Sequence, residues 1–345
     1  MKYGRIAALL VQAVALATAT PAAHVVNSSA PIGTLHIFGD SYTDSCNVWH
    51  LQHSDTPIFP GCPPPDAGRS TGARAWPEYI RIDQGQRESS STNASNPSSP
   101  GGDPIAGSKQ QQWLIRNWAF SGATCDNAAF PSQAPSVVDQ LALLQSGYGA
   151  VPPIGKPNAK ADVALFLIGT NDVIRLASKE RGFGGLFPYN SKTTVASETA
   201  CIRARIELLH ELGLRRFILV ENTPLQNTPV FRQLNATAEG AKYTQANNAE
   251  QKKLAMVLNA QWKGNAVIDI FPAYALFDAY YRKPEEYGIA NVDTPCNHTA
   301  ACTTSLWQDT LHPAPRPWKI FARKLVRFVA GVRGDALIKG DEGAQ

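Results

Sequence analysis

TLHIFGDSYTDS, residues 34–45, decides how the chain folds. Its first half is a short apolar run and its second half a polar loop that opens on Gly-Asp-Ser. An apolar run of this length reads as a strand buried on both faces, the habit of parallel sheets packed between helices. Gly39 permits a tight turn, and Ser41 then emerges at the carboxyl edge of the strand, where open α/β sheets bind their ligands. An Asp-Ser pair after a strand is also a common helix N-cap. The tripeptide alone therefore means little.

Four further runs repeat the pattern: WLIRNWAF (113–120), DVALFLIG (162–169), RRFILVEN (215–222) and NAVIDIF (265–271). Helical patterns lie between and after them. ETACIRARIELLHELG (198–213) places Ile202, Ile206, Leu209 and Leu212 on one stripe, with Gly213 as its stop. A second helix is expected over about 237–262, and a last one over about 316–332 beginning near Pro317. Alternating strands and helices predict an α/β fold, a single three-layer α/β/α domain with a doubly wound, mainly parallel five-stranded sheet. The Ser-, Pro- and Gly-rich segment 87–103 reads as a long mobile surface loop, because the strand after it is needed by the same sheet.

Lys2 and Arg5 precede the apolar run AALLVQAVALATA, and small residues continue through Ala23. That is the pattern of a secretory signal peptide over residues 1–23, cleaved after Ala19 or Ala23, with residues 24–345 as the mature domain. No later segment approaches the ~20 apolar residues of a membrane helix. Export makes the six cysteines disulfide partners rather than metal ligands. Nearest-neighbour closure favours Cys46–Cys62 and Cys296–Cys302, leaving Cys125–Cys201. Sequons at Asn27, Asn93, Asn235 and Asn297 fit the same route. The net charge of +4 is mild and no Lys/Arg run marks a nucleic-acid patch, so neither nucleic acid nor membrane is an expected partner, and a monomer is assumed.

Near the other end stands WQDTLHP (307–313). Asp309 lies three residues before His312, so one turn can bring the carboxylate to Nδ1–H and leave Nε2 to take a serine proton. A lone His would more often be an ordinary loop residue; the Asp and the position after the last strand change that balance. Acyl transfer also needs oxyanion donors. FSGATCD (120–126) supplies Gly122 after the second strand, and GTND (169–172) supplies Asn171 after the third. Each is an ordinary turn residue when taken singly. His50 and His53 in HLQH have no third metal ligand at suitable spacing and read as an exposed loop. Trp307, just before Asp309, is the tryptophan expected to stack a sugar ring or wall an acyl pocket.

GDS near the start, Gly122, GTND and DxxH near the end together resemble the SGNH (GDSL-type) hydrolase superfamily. The similarity covers most of the mature chain and is closest to secreted fungal carbohydrate acetylesterases of family sixteen. GRSTGARAWPEYI (68–80), NWAFSGATCDN (117–127), LFLIGTNDV (165–173), LGLRRFILVENTPLQNTP (212–229) and LFDAYYRKPEEYGI (276–289) carry it, as do Cys296 and Cys302 before DTLHP. The resemblance implies a flavodoxin-like fold, Ser41 as nucleophile, His312 as base and Asp309 as its orienter. It also implies oxyanion donors from the Ser41 and Gly122 N–H groups and the Asn171 side chain. Tyr42 stands where the superfamily name has Leu, and Glu221-Asn222 and Gln308 depart from the branch. No G-x-S-x-G elbow is present. The expected activity is hydrolysis of small acetyl esters on plant-wall oligosaccharides, without metal or cofactor. The competing expectations are an esterase for longer acyl chains and a silent glycan-binding protein.

Overall fold

The computed structural model describes residues 33–53, 62, 68–83, 113–147, 157–159, 161–182 and 184–331. The leader at 1–23, the segment 87–103 and the sequons at Asn27 and Asn93 lie outside them.

All five expected strands form. They are β1 (Thr34–Gly39), β2 (Leu114–Asn117), β3 (Val163–Leu167), β4 (Arg216–Val220) and β5 (Val267–Phe271), in the order β2-β1-β3-β4-β5. Every pairing is parallel, with Ile37 beside both Asn117 and Leu165, and Ile218 beside both Leu165 and Asp269. The sheet is thus wholly parallel. The order reverses direction at β1, so the topological switch lies where β1 and β3 end side by side.

Alternation along each strand builds two separate cores. Leu35, Ile37, Val163, Leu165, Leu167, Ile218 and Val220 face one layer. There they meet α2 (Trp76–Asp83), α8 (Ala273–Arg282) and α9 (Pro315–Val329) through Trp76, Phe277, Phe321 and Leu325. Phe38, Ala164, Phe166, Phe217 and Leu219 face the other layer. That layer is α3 (Val137–Ser146), α5 (Val195–Glu211) and α7 (Thr237–Trp262), which contribute Leu141, Ile206 and Leu258. Each large apolar side chain among them contributes about 1.5–3 kcal/mol on full burial, so burial on two faces holds the central strands firmly.

The helices sit where the periodicity puts them, with one difference. Ile202, Ile206 and Leu209 are buried, whereas Leu212 is 37% exposed. It lies beyond Glu211, the last helical residue, because Gly213 takes a φ of 109° and turns the chain away. Two side-chain amides extend the sheet beyond its backbone pairing. Gln140 of α3 accepts from Gly39 N–H at 3.0 Å and donates to its carbonyl at 2.8 Å. Asn248 of α7 does the same for Asn222, just past β4, at 2.8 and 2.9 Å. Both amides fix chain ends that enter the carboxyl edge. Three disulfides join Cys46–Cys62, Cys125–Cys201 and Cys296–Cys302, the expected connectivity.

Candidate active site

Gly39 ends β1 pressed against its neighbour: a Cβ there would lie 2.4 Å from the Leu167 carbonyl oxygen of β3. No other residue fits, and the chain must leave the sheet at that point. Asp40 turns back to accept the Tyr42 N–H at 3.0 Å, which leaves Ser41 at the apex, 4% exposed. The competing reading of Asp-Ser as a helix cap does not describe this turn. The first N–H groups of α1 (Asn47–His53) point instead to Asp44, whose Oδ1 accepts Asn47 N–H at 2.6 Å.

The opposite end of the chain supplies the partners. Ser41 Oγ–H donates to His312 Nε2 at 2.8 Å, and His312 Nδ1–H donates to Asp309 Oδ2 at 2.8 Å. The other oxygen, Asp309 Oδ1, accepts the Leu311 and His312 N–H groups, each at 2.8 Å. One carboxylate therefore orients both the ring and the loop that carries it. Partial burial works against the Asp309 charge, but the His312 ring and these N–H groups outweigh it and hold the carboxyl below its usual range. An ionised Asp309 fixes the proton on Nδ1 and leaves Nε2 as an acceptor.

Gly122 follows β2 with a φ of 83°, a conformation glycine enters freely. Space is not what selects it, since a Cβ there would meet only Ala134 at 3.4 Å. Asn171 sits at the start of α4 (Thr170–Arg181), and its Nδ2 donates to the Ala123 carbonyl at 2.9 Å, which leaves a second N–H on the same nitrogen. The three turns are braced together. Asp44 Oδ2 accepts Ser121 N–H at 2.9 Å, and Asp172 Oδ1 accepts Cys125 N–H at 3.0 Å. Asn117 Nδ2 donates to the Thr43 carbonyl at 2.6 Å. The Ser41 turn, the Gly122 turn and the head of α4 thus form one hydrogen-bonded unit.

Beneath this unit lie four buried carboxyl groups: Asp40, Asp44, Asp172 and Glu198. Burial pushes Asp40 up to about 6 and Asp44 up to about 7. Burial, with the neighbouring carboxyls, also raises Asp172 and Glu198. Glu198 keeps one tie, accepting Asn247 Nδ2 at 2.6 Å. Sequence reasoning passed over Asp40, Asp44, Asp172 and Gln140. The signal for the first three was present, since each adjoins or closely follows a residue already singled out.

Two expectations are corrected. Trp307 is 1% exposed, belongs to the core on the α9 side of the sheet, and donates from Nε1 to the Val292 carbonyl at 2.8 Å. With its ring buried and its N–H already bonded, Trp307 has no open face on which to stack a sugar. HLQH is helical rather than a loop: His50 is buried, and His53 stacks on Trp49 with ring centroids 4.6 Å apart. Gln308 is also buried, its Nε2 donating to His298 Nδ1 at 2.6 Å.

A Ser–His–Asp hydrogen-bonded chain with three donor-bearing turns at the carboxyl edge of a parallel sheet defines the class of SGNH-fold ester hydrolases. Residues 35–325 match the GDSL-like Lipase/Acylhydrolase family, and the chain belongs to it; it is a carboxylic ester hydrolase. It is 24% identical to an acetylesterase of Hypocrea jecorina over 85% of this chain and 88% of that one. It is also 24% identical to an acetylesterase of Thermothelomyces thermophilus, over 66% of this chain and 77% of the other. Among solved structures it is similar to an acetylxylan esterase from Geobacillus stearothermophilus, at 15% identity and a TM-score of 0.44, over 88% of this chain and 98% of that one.

Proposed function

We propose that the protein is an exported serine esterase that releases small acyl groups, acetyl first, from plant cell-wall oligosaccharides. The observation that carries the mechanism is the unbroken chain from Ser41 Oγ through His312 to Asp309, each bond 2.8 Å. His312 Nε2 takes the Ser41 proton as Oγ attacks the ester carbonyl. The tetrahedral oxyanion is held by the Ser41 and Gly122 N–H groups and by Asn171 Nδ2. Collapse expels the alcohol, protonated by His312, and leaves an acyl-enzyme. Water, deprotonated by the same ring, then releases the acid. Asp309 stays ionised throughout.

The acetyl preference is supported by the two fungal acetylesterases to which the chain is similar. Export is supported by the basic-then-apolar start, the three disulfides and the exposed sequons Asn235 and Asn297. Residues 24–345 are proposed as one domain. Acetic acid release from acetylated xylo- and manno-oligosaccharides tests the substrate, with acetate and octanoate esters of 4-nitrophenol run beside it. Acetate turnover above octanoate turnover is expected. The reverse order would assign a lipase-like enzyme, and no labelling of Ser41 by a fluorophosphonate would assign a silent binder.

A further inference from the structure

The residue after the nucleophile departs from the family's own name, and its surroundings give it a task. Tyr42 is 1% exposed. Its phenol donates to the Leu311 carbonyl at 2.9 Å, across 269 residues of chain. Its ring meets the His312 imidazole edge-on with centroids 5.8 Å apart and meets Trp318 in the same manner at 5.3 Å. Its backbone N–H is fixed to Asp40 Oδ1. Tyr42 therefore grips the nucleophile turn with its main chain and the loop of His312 with its side chain.

That loop has three successive carbonyls, and each one is held. The Thr310 carbonyl accepts Val230 N–H at 2.8 Å from α6 (Pro229–Gln233). The His312 carbonyl accepts Gln308 N–H at 2.8 Å from the loop's own stem. The Leu311 carbonyl accepts the Tyr42 phenol. Of the three anchors, Tyr42 alone belongs to the segment that carries Ser41. The other two set the loop against α6 and against itself, and neither fixes its distance from the nucleophile.

We infer that Tyr42 is a positioning residue that sets the Ser41–His312 distance by tying the base's loop to the nucleophile's turn. A leucine there is apolar like the ring but smaller, and it has no donor for Leu311. Burial and the nearby Asp40 push the phenol far above its ordinary range, so it remains a donor at every working pH. Misplacing a reacting group by about 1 Å can cost on the order of 100-fold in rate, and the tether acts on that coordinate.

The inference rests on His312 being the base, so its test carries controls for that reading. Tyr42→Phe and Tyr42→Leu are compared with wild type, Ser41→Ala and His312→Ala on 4-nitrophenyl acetate. Reactive sites are counted by fluorophosphonate titration, so that turnover is expressed per reactive serine. Tyr42→Phe is expected to lower kcat per site about 10- to 100-fold, with KM within about twofold and a matching fall in the phosphonylation rate. Tyr42→Leu should be slower still, having lost the ring as well. A Tyr42→Phe enzyme with unchanged kcat per reactive site, whatever its melting temperature, would overturn the inference and leave Tyr42 a packing residue. An active His312→Ala would overturn the base assignment and the tether together. An inactive His312→Ala beside an unimpaired Tyr42→Phe would overturn the tether alone.

Discussion

Ser41 Oγ and His312 Nε2 lie 2.8 Å apart although 271 residues separate them in the chain. Neither is held by long-range contacts of its own side chain alone. Ser41 is placed by a strand end that only glycine can form, and His312 by a loop whose carboxylate binds two of its own N–H groups. The pair thus lies where two braced segments meet, joined by the Tyr42–Leu311 bond, the preorganisation that the proposed mechanism requires.

Asp309→Asn tests the electrostatic half of that arrangement. The amide has the shape of the carboxylate, but it cannot serve as a charged acceptor for both Nδ1–H and the loop N–H groups. The ring is then free to present a proton at Nε2, where an acceptor is needed. Turnover of acetyl esters should fall by about 10⁴-fold with far less change in KM. Stopped-flow acetylation rates provide the measurement, and a loss below tenfold would remove Asp309 from the mechanism.

Asn171→Ala removes a donor that serves two acceptors. One N–H of its Nδ2 braces the Ala123 carbonyl, and the other is assigned to the oxyanion. If the second assignment holds, kcat drops by roughly 100- to 1,000-fold while KM stays within a few-fold, since the charge exists only in the transition state. A change confined to KM would mean that Asn171 binds ground-state substrate. Asn171→Asp, equal in size but lacking the donor, should be no more active than the alanine variant.

The fold was legible for a reason that does not extend to the whole site. Short continuous runs of large apolar residues state which strands are covered on both faces, and Leu35, Phe38, Leu165 and Phe166 serve both layers. Ser41, Gly122, Asn171 and His312 could be proposed because each follows a strand in the sequence and falls in a short recognisable pattern. What stayed hidden were contacts between residues far apart in sequence: Gln140 on Gly39, Asp44 on Ser121, Tyr42 on Leu311. Trp307 misled for the same reason. Its near neighbour Asp309 meets the site, but the tryptophan is buried in the core and bonded to the Val292 carbonyl, a partner 15 residues away that no local pattern records.

The Cys125–Cys201 bridge joins the turn after Gly122 to α5 and closes a separation of 76 residues. By loop-closure entropy such a cross-link contributes about 4 kcal/mol, more than either short-range bridge. It also holds Cys125, whose N–H binds Asp172 beneath the head of α4. Cys125→Ser/Cys201→Ser should therefore melt well below wild type and also lose turnover per active site. The double replacement of Cys296 and Cys302, whose loop spans 6 residues, should cost less stability. Differential scanning calorimetry of both variants decides the order, and equal losses would contradict the entropic account.

The buried carboxyls predict an unusual slope of stability with pH. Asp44 is raised to about 7, and Glu198 is raised well above the ordinary range by burial and by Asp172 and Asp40. A carboxyl whose folded pKa exceeds its unfolded value stabilises the fold at low pH and loses that contribution as pH rises toward the folded pKa. His36, lowered to about 4 by burial, works in the opposite direction, because the unfolded ring binds a proton that the folded one refuses. Its influence ends near its unfolded value of 6.5. Asp309, being lowered, acts only in acid. Above pH 6.5 the raised carboxyls are left, and each proton still held costs about 1.4 kcal/mol of stability per pH unit. The melting temperature should accordingly fall as the pH rises from about 6.5 through 7, the value to which Asp44 is raised. Glu198→Gln keeps the acceptor for Asn247 and cannot ionise, so its curve should fall less steeply. A wild-type melting temperature that holds level or rises across that window would show that these carboxyls are charged in the folded protein.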